Sequence, residues 1–386
     1  MTLRISWREA SARRLRRQFL ANPLGTGSRR PADTVAAMLG AHAQVPSAAE
    51  LSVGVRTEGV TRADVRAALW EDRSLVRTHG PRGTVHLLPA AELPLWSAAL
   101  TAVPTGPSPF PPDIRLTDEQ AAQVVAAIGE ALDGAQLTVE ELGEEVVART
   151  GPWAGDLVMP AFQDLWPRWR QVLHRAGLSG ALCFAPNRGR KVTYTRPPRF
   201  DPLAPEEALR RLVLRYLAAY GPATPRHFAK WLAAPGGWAA DLFARLAADG
   251  EVEDVLFEGA PAWVAAGDTD FPEPAADVRG VHLLPYFDAY AIAAQPRELL
   301  FPGAAWQRAL AGGQAGNHPV LLVDGVVAGV WHQRRRGRRT TVTVEPLGRL
   351  TARRTRELEA RAERVGEVLE ATAELVIGEV TTGPHA

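Results

Sequence analysis

Leu75-Val76-Arg77-Thr78-His79-Gly80-Pro81-Arg82-Gly83-Thr84-Val85-His86-Leu87-Leu88 is the stretch on which the fold turns. Two short alternating runs flank Gly80-Pro81-Arg82-Gly83, and alternation interrupted by glycine and proline is hairpin chemistry. Upstream, the spacing predicts three helices. The first starts at Ser6-Trp7-Arg8-Glu9, where Ser6 caps and Glu9 reaches back to close a capping box. The second covers residues 31–42, with Pro31 in its first turn and Val35, Met38 and Leu39 at helical spacing. The third opens at Thr61, with Asp64 three residues on, and runs to Asp72. Helices closed by a two-stranded hairpin outline a winged helix.

The same order recurs twice. Helical patterns over 117–132, 138–149 and 160–177 lead into ALCFAP, the turn Asn187-Arg188-Gly189-Arg190 and KVTYT. A third round has helices over 204–220, 224–233 and 236–249, then EVEDVLF, a turn at Glu258-Gly259-Ala260-Pro261, and AWVAA. Proline-rich breaks at 103–112, 196–205 and 272–274 separate these rounds, because proline supplies no backbone donor and stops either kind of element. Beyond 275 the pattern turns to strands: VHLLP, PVLLV, an Asp324-Gly325 turn, VVAGVWHQ and TTVTVEP, closed by a charged helix over 351–370 and the strand ELVIGEV. The expected organisation is a winged helix at 1–102, a second at 113–196, a third at 203–270, and a β-rich domain at 275–386. The fold class is α+β, with three tandem helix-turn-helix units of winged-helix type.

The 386 residues supply ample core, and a composition of 46% hydrophobic and 23% charged residues is that of a globular chain. The single cysteine, Cys183, excludes a disulfide framework and a cysteine-based zinc site, and fits a reducing cytoplasm. No apolar run is long enough for a membrane span, and the basic, amphipathic N-terminus lacks the apolar centre of a signal peptide. The expected location is therefore cytoplasmic. Net charge is +1, which excludes an even positive coat for generic nucleic-acid binding. Lys191 and Lys230 are the only lysines among 44 cations, an imbalance that fits a GC-rich coding sequence, so any argument from arginine must rest on clustering.

The densest cluster is Arg334, Arg335, Arg336, Arg338 and Arg339 around Gly337, at the expected tip between VVAGVWHQ and TTVTVEP. Like charges on one tip repel each other, so the run points to a polyanion. Arg77 and Arg82 on the first wing, with Arg188, Arg190 and Lys191 on the second, are suited to contacts along a phosphate backbone. The helix-borne arginines at 13, 14, 16 and 17, and at 353, 354, 356 and 361, read instead as solvated faces and local ion pairs. There is no Gly-rich phosphate loop, no His-Glu-x-x-His and no Cys/His cluster. His42-Ala43-Gln44 stands out because extended chain before Pro46 would aim both polar side chains the same way, but by spacing alone it reads as a satisfied loop histidine and glutamine rather than a catalytic pair.

Gly40-Ala41-His42-Ala43-Gln44 with Pro46, then Ser52, Arg56 and the run from Val76 to Leu87, resembles the AlkZ-like winged-helix DNA glycosylases. The resemblance continues in Arg215-Tyr216-Leu217, Tyr220-Gly221-Pro222-Ala223-Thr224 and Trp231, in Leu284-Pro285-Tyr286-Phe287-Asp288, and in Asp324-Gly325 with Gly329 and Trp331. It implies three winged helices in a C-shape plus a β domain enclosing a DNA duplex, base removal without a cofactor or metal, His42 and Gln44 as the catalytic pair, and Arg56 among the DNA-binding residues. It also implies a monomer whose partner is double-stranded DNA carrying alkylated guanine, nucleoid-associated and with no membrane role. The family motif is typically Gln-x-Gln, so His42 is a departure. It resembles variants associated with bulky monoadduct-forming intercalators, which directs the expectation towards bulky N7-alkylguanine adducts and self-resistance to a genotoxic natural product. Asp288 could contact lesion or sugar, or make a structural hydrogen bond. A non-catalytic winged-helix regulator or lesion sensor, or a protein that sequesters the drug itself, would account for the basic wings as well.

Overall fold

The computed structural model describes residues 2–25, 31–108, 110–161, 164–271 and 280–385. The chain divides into two compact units, one of residues 1–68 with 210–386 and the other of residues 69–209.

In the larger unit, Ser6 caps the helix Trp7–Arg17 and Glu9 returns the bond to the Ser6 amide, the expected capping box. Arg4–Ile5 lies parallel to Val252–Phe257, which pairs antiparallel with Ala260–Ala265 across the turn at Glu258-Gly259. The helices Pro225–Leu232 and Gly236–Ala248 precede that hairpin, following Pro205–Tyr220. Five strands form the C-terminal sheet: Val281–Leu284, Val320–Val323, Val326–Arg336, Arg339–Pro346 and Thr372–Ile377. The first four are antiparallel and the last is parallel to the fourth, which requires a crossover, supplied by the helix Ala352–Val368. Leu358, Ala362, Val365 and Val368 of that helix are buried against Val281, Leu283, Leu321, Trp331, Val342 and Val344 of the sheet.

Leu51 from the helix Pro46–Gly54 joins the same core, so the segment just after His42 rests directly on the C-terminal sheet and its helix. Gly54 is needed there because a Cβ at that position would sit 2.4 Å from Val368 Cγ1.

In the smaller unit, Leu75–His79 pairs antiparallel with Val85–Pro89, His79 facing Val85, as the opening stretch predicts. Leu137–Thr138, between the helices Asp118–Ala131 and Val139–Thr150, forms a small sheet with Thr193–Thr195 and Cys183–Phe184, and both helices open with capping boxes. Cys183 is buried, which pushes its thiol up to about 12.

Several expectations are corrected. The second helix stops at Ala37 instead of reaching 42: Leu39 and Gly40 take positive φ (57° and 92°), and Ala41–His42 is strand. Over the described part of 160–177 the chain forms strands Leu157–Pro160 and Leu165–Pro167, a 3₁₀ turn Arg168–Val172 and only then the helix Leu173–Leu178. Pro167 is the cause, since it forces Trp166 out of helical conformation and contributes no donor. The helices Pro46–Gly54, Leu93–Thr101 and three short ones between Ala289 and Ala309 were not expected. Arg13 and Arg14 are buried, not solvated: Arg13 donates to the Asp268 carbonyl and Arg14 to the Gly221 and Pro222 carbonyls. The proline break at 272–274 lies outside the described residues.

Candidate active site and nucleic-acid interface

The segment bearing His42 is pinned from behind. Where the helix Pro31–Ala37 ends, the Gly40 amide bonds back to the Val35 carbonyl at 3.0 Å and the Leu39 amide to the Ala36 carbonyl at 3.1 Å. Left-handed Leu39 and Gly40 turn the chain, as glycine does readily at a helix C-terminus. The Tyr220 hydroxyl donates to the Met38 carbonyl at 2.6 Å, and Arg215 donates to the Ala36 carbonyl at 3.0 Å. Arg215 and Tyr220 thus pin the segment that leads into His42, a role that no local feature of the sequence disclosed.

His42 is 8% exposed, and its imidazole lies on the ring of Phe287 with centroids 4.5 Å apart and planes 28° from parallel. Gln44, two residues on, is exposed in the bend before Pro46. The extended stretch is only Ala41–His42, so the expected common aim of the two side chains becomes one side chain in the wall and one at the surface.

Beside Phe287, Asp288 is fully buried and saturated. Its carboxylate accepts from Ser52 Oγ at 2.6 Å, from Arg56 at 2.8 and 2.7 Å, and from the Tyr290 amide at 3.0 Å as cap of a short helix. Arg56 is also fully buried and spends a further bond on the Ser52 carbonyl at 2.9 Å. Its expected role as a DNA contact is corrected: a guanidinium enclosed in the core and bidentate on a carboxylate has no path to a phosphate. For Asp288 the structural alternative holds.

Among the predicted DNA-binding cations, the five of the hairpin stand out. Arg334, Arg335, Arg336, Arg338 and Arg339 are all exposed, and among the described residues none forms an ion pair. The strands continue to the pair Arg336–Arg339, and Gly337, at φ 61°, makes the turn with Arg338. Arg335 donates to the Gly337 carbonyl at 2.9 Å. The turn expected as the second wing is more neutral than its sequence implied: Arg188 pairs with Glu141, and Lys191 lies 3.6 Å from Glu140, while Arg190 is exposed. On the hairpin Leu75–Pro89 Arg77 is half-buried over the Phe184 ring at 4.5 Å, with burial lowering its pKa, and Arg82 is half-exposed at φ 61°.

A mixed helix-and-strand chain with a C-terminal five-stranded sheet, an imidazole and an amide at a pinned turn, and a cationic hairpin has the makings of an enzyme that works on nucleic acid. Residues 35–368 match the family described as DNA glycosylase AlkZ-like, and the chain belongs to that family. It is 30% identical over 346 residues to the "Interstrand DNA cross-link repair glycosylase" of Streptomyces sahachiroi, a match covering 85% of this chain and 88% of that one. Its fold is similar to the solved structure of Streptomyces sahachiroi DNA glycosylase AlkZ, with a TM-score of 0.76 and 28% identity over 97% of this chain and 100% of the other. The protein is a DNA glycosylase, a hydrolase of N-glycosyl bonds, and a DNA repair enzyme. Among the described residues no helix is long and apolar enough to cross a membrane.

Proposed function

We propose that this glycosylase releases bulky N7-alkylguanine adducts from duplex DNA, with His42 and Gln44 as its catalytic groups, in self-resistance to a genotoxic natural product. The observation that carries this reading is the donor set. The site offers an imidazole and an amide, while Asp288, the carboxylate next to Phe287, is consumed by Arg56, Ser52 and the Tyr290 amide.

Such a set suits a leaving group that needs no acid. Alkylation at N7 makes guanine cationic, so as the bond from C1′ to N9 breaks, its electron pair neutralises the ring. What remains is to hold a water against C1′ and to steady an oxocarbenium-like sugar. The water's oxygen bonds to C1′ and its proton leaves to a nearby acceptor. Gln44 has an acceptor oxygen and two donors but no titratable group near neutral pH, so it orients the water. His42 fixes the water's direction through a ring nitrogen and is the side chain able to accept the proton.

The hairpin arginines hold the duplex by its phosphates, and they belong to the same compact unit as His42. Arg190 and Arg82 add weaker contacts. The chain acts as a monomer of four domains, three of them winged helices.

Single-turnover release from duplexes carrying one bulky N7-guanine adduct, one N7-methylguanine or one interstrand crosslink tests the substrate. The bulky adduct is expected to be released fastest; faster release of N7-methylguanine would overturn the assignment. His42→Ala should cost about 10²–10⁴-fold in the chemical step with binding nearly intact. His42→Gln keeps an acceptor without a titratable group and separates the two roles: excision within about tenfold of wild type, the expected result, assigns His42 to directing the water, whereas a loss as large as alanine's assigns it the proton. Wild-type rates in both His42→Ala and Gln44→Ala would remove these residues from the mechanism.

A further inference from the structure

We propose that Phe287 is a positioning residue for His42, holding the imidazole plane in its working orientation from a backbone that the buried Asp288 lock keeps rigid. The inference rests on the reading of His42 as a catalytic group and adds to it a residue 245 positions away.

Phe287 has φ of 56°, a left-handed conformation that is unfavourable for a bulky residue and persists only where the surroundings over-determine it. Those surroundings are identifiable. The Phe287 amide donates to the Gly316 carbonyl at 2.8 Å, fixing the near side of the residue. On the far side, Asp288 is fully buried, with its carboxylate tied to Ser52, Arg56 and the Tyr290 amide. Ser52 and Arg56 stand on and just after the helix Pro46–Gly54, which follows the His42 segment directly. The lock therefore clamps the backbone of Phe287 to the same stretch of chain that carries His42.

A half-buried phenylalanine that merely filled space would need neither the strained φ nor the clamp. What the conformation achieves is a flat face set nearly parallel to the imidazole, 28° off, at 4.5 Å. His385 stands edge-on to Phe287 at 5.3 Å and 72°, and the tilted ring of Tyr286 lies 6.3 Å away, so the phenyl ring is itself braced. The Leu39-Gly40 turn fixes the His42 backbone, and the stack fixes the tilt of its ring. Aromatic pairs at such separations attract beyond their buried area, which favours one ring orientation over others.

The test uses the full-length enzyme and a duplex carrying one bulky N7-guanine adduct. Phe287→Leu keeps apolar bulk and removes the flat face. It should lower the single-turnover rate about 10–100-fold, the scale on which misplacement of a reacting group is felt, while the duplex Kd changes by less than about twofold. Phe287→Tyr, which restores the face, should return the rate to within about threefold of wild type. If Phe287→Leu lacks a cooperative thermal transition, Phe287→Met supplies the same bulk in a more adaptable form. A face-deleted variant within threefold of wild type overturns the proposal, as does a loss that tyrosine fails to restore, which marks a role in packing alone. His42→Ala run in parallel separates the layers: if it too is unimpaired, the reading of the site has failed, whereas a dead His42→Ala beside a fully active Phe287→Leu removes Phe287 only.

Discussion

Arg56 shows how a residue type can be read correctly for charge and wrongly for place. The family resemblance set Arg56 among the DNA contacts, yet Arg56 is 0% exposed and faces Asp288, itself 0% exposed. Removing one partner of a buried pair costs more than the pair contributes, because the other is left charged and enclosed. Arg56→Ala should therefore lower the stability of the unit containing it by about 3–5 kcal/mol, read from denaturant unfolding, and leave the salt dependence of duplex binding unchanged. A stable Arg56→Ala with a flatter salt slope would return Arg56 to the DNA interface. The Arg56–Asp288 contact spans 232 residues, and neither periodicity nor capping rules reach that far. Only the resemblance brought His42-Ala43-Gln44 above an ordinary loop pair, and it named the Phe287-Asp288 dipeptide without giving either residue its work.

At the scale of elements, what was legible had a local cause. The helices at Ser6, Thr117, Thr138 and Thr224 carry their start signals in the residue that caps them, and the hairpins carry theirs in glycine turns. The helix Pro46–Gly54 was missed because it buries apolar residues on most sides and shows no one-sided stripe, and the helices Ala289–Ala293, Arg297–Leu300 and Ala304–Ala309 are too short to show a period. The basic hairpin was the most legible element of the proposed interface. Its register sets Arg336 directly opposite Arg339, a like-charge pair that weakens a free hairpin and that an anion relieves. Arg334 and Arg336 point to one face of the strand and Arg335 to the other, so the tip offers cations on both sides. Replacing Arg334, Arg335 and Arg336 with alanine should weaken binding to every duplex sequence and flatten the slope of log affinity against log salt by about 2–3 units, since each phosphate that is no longer neutralised keeps its counterion. An unchanged slope would show that the tip faces solvent in the complex.

At the scale of the whole molecule, histidines partly or wholly withdrawn from water couple folding to pH in both compact units. Burial lowers His79 to about 4 in the unit of residues 69–209, helped by the neighbouring His174. In the other unit burial lowers His227 to about 4, with Arg14 adding to the effect, and His282 to about 3, with Arg361, Arg56 and Arg354 adding theirs. Unfolded, each takes up its proton near the ordinary histidine value of about 6.5. Between that value and the folded one, the unfolded chain binds more protons, so acidification favours unfolding. The stability tied to these groups is fully present above about pH 6.5 and is lost as pH falls towards the folded values, at up to about 1.4 kcal/mol per pH unit for each group. The carboxylate of Glu345, held below its ordinary range by its bond to Arg308, acts in the same direction but only at more acidic pH. Thermal unfolding should therefore give a Tm that is level above pH 7 and declines steadily from 6.5 to 4.5. His282→Gln, which cannot take a proton in either state, should flatten that decline for the larger unit alone. A Tm constant across 6.5 to 4.5 in the wild-type protein would mean that these histidines are solvated enough to protonate without unfolding it.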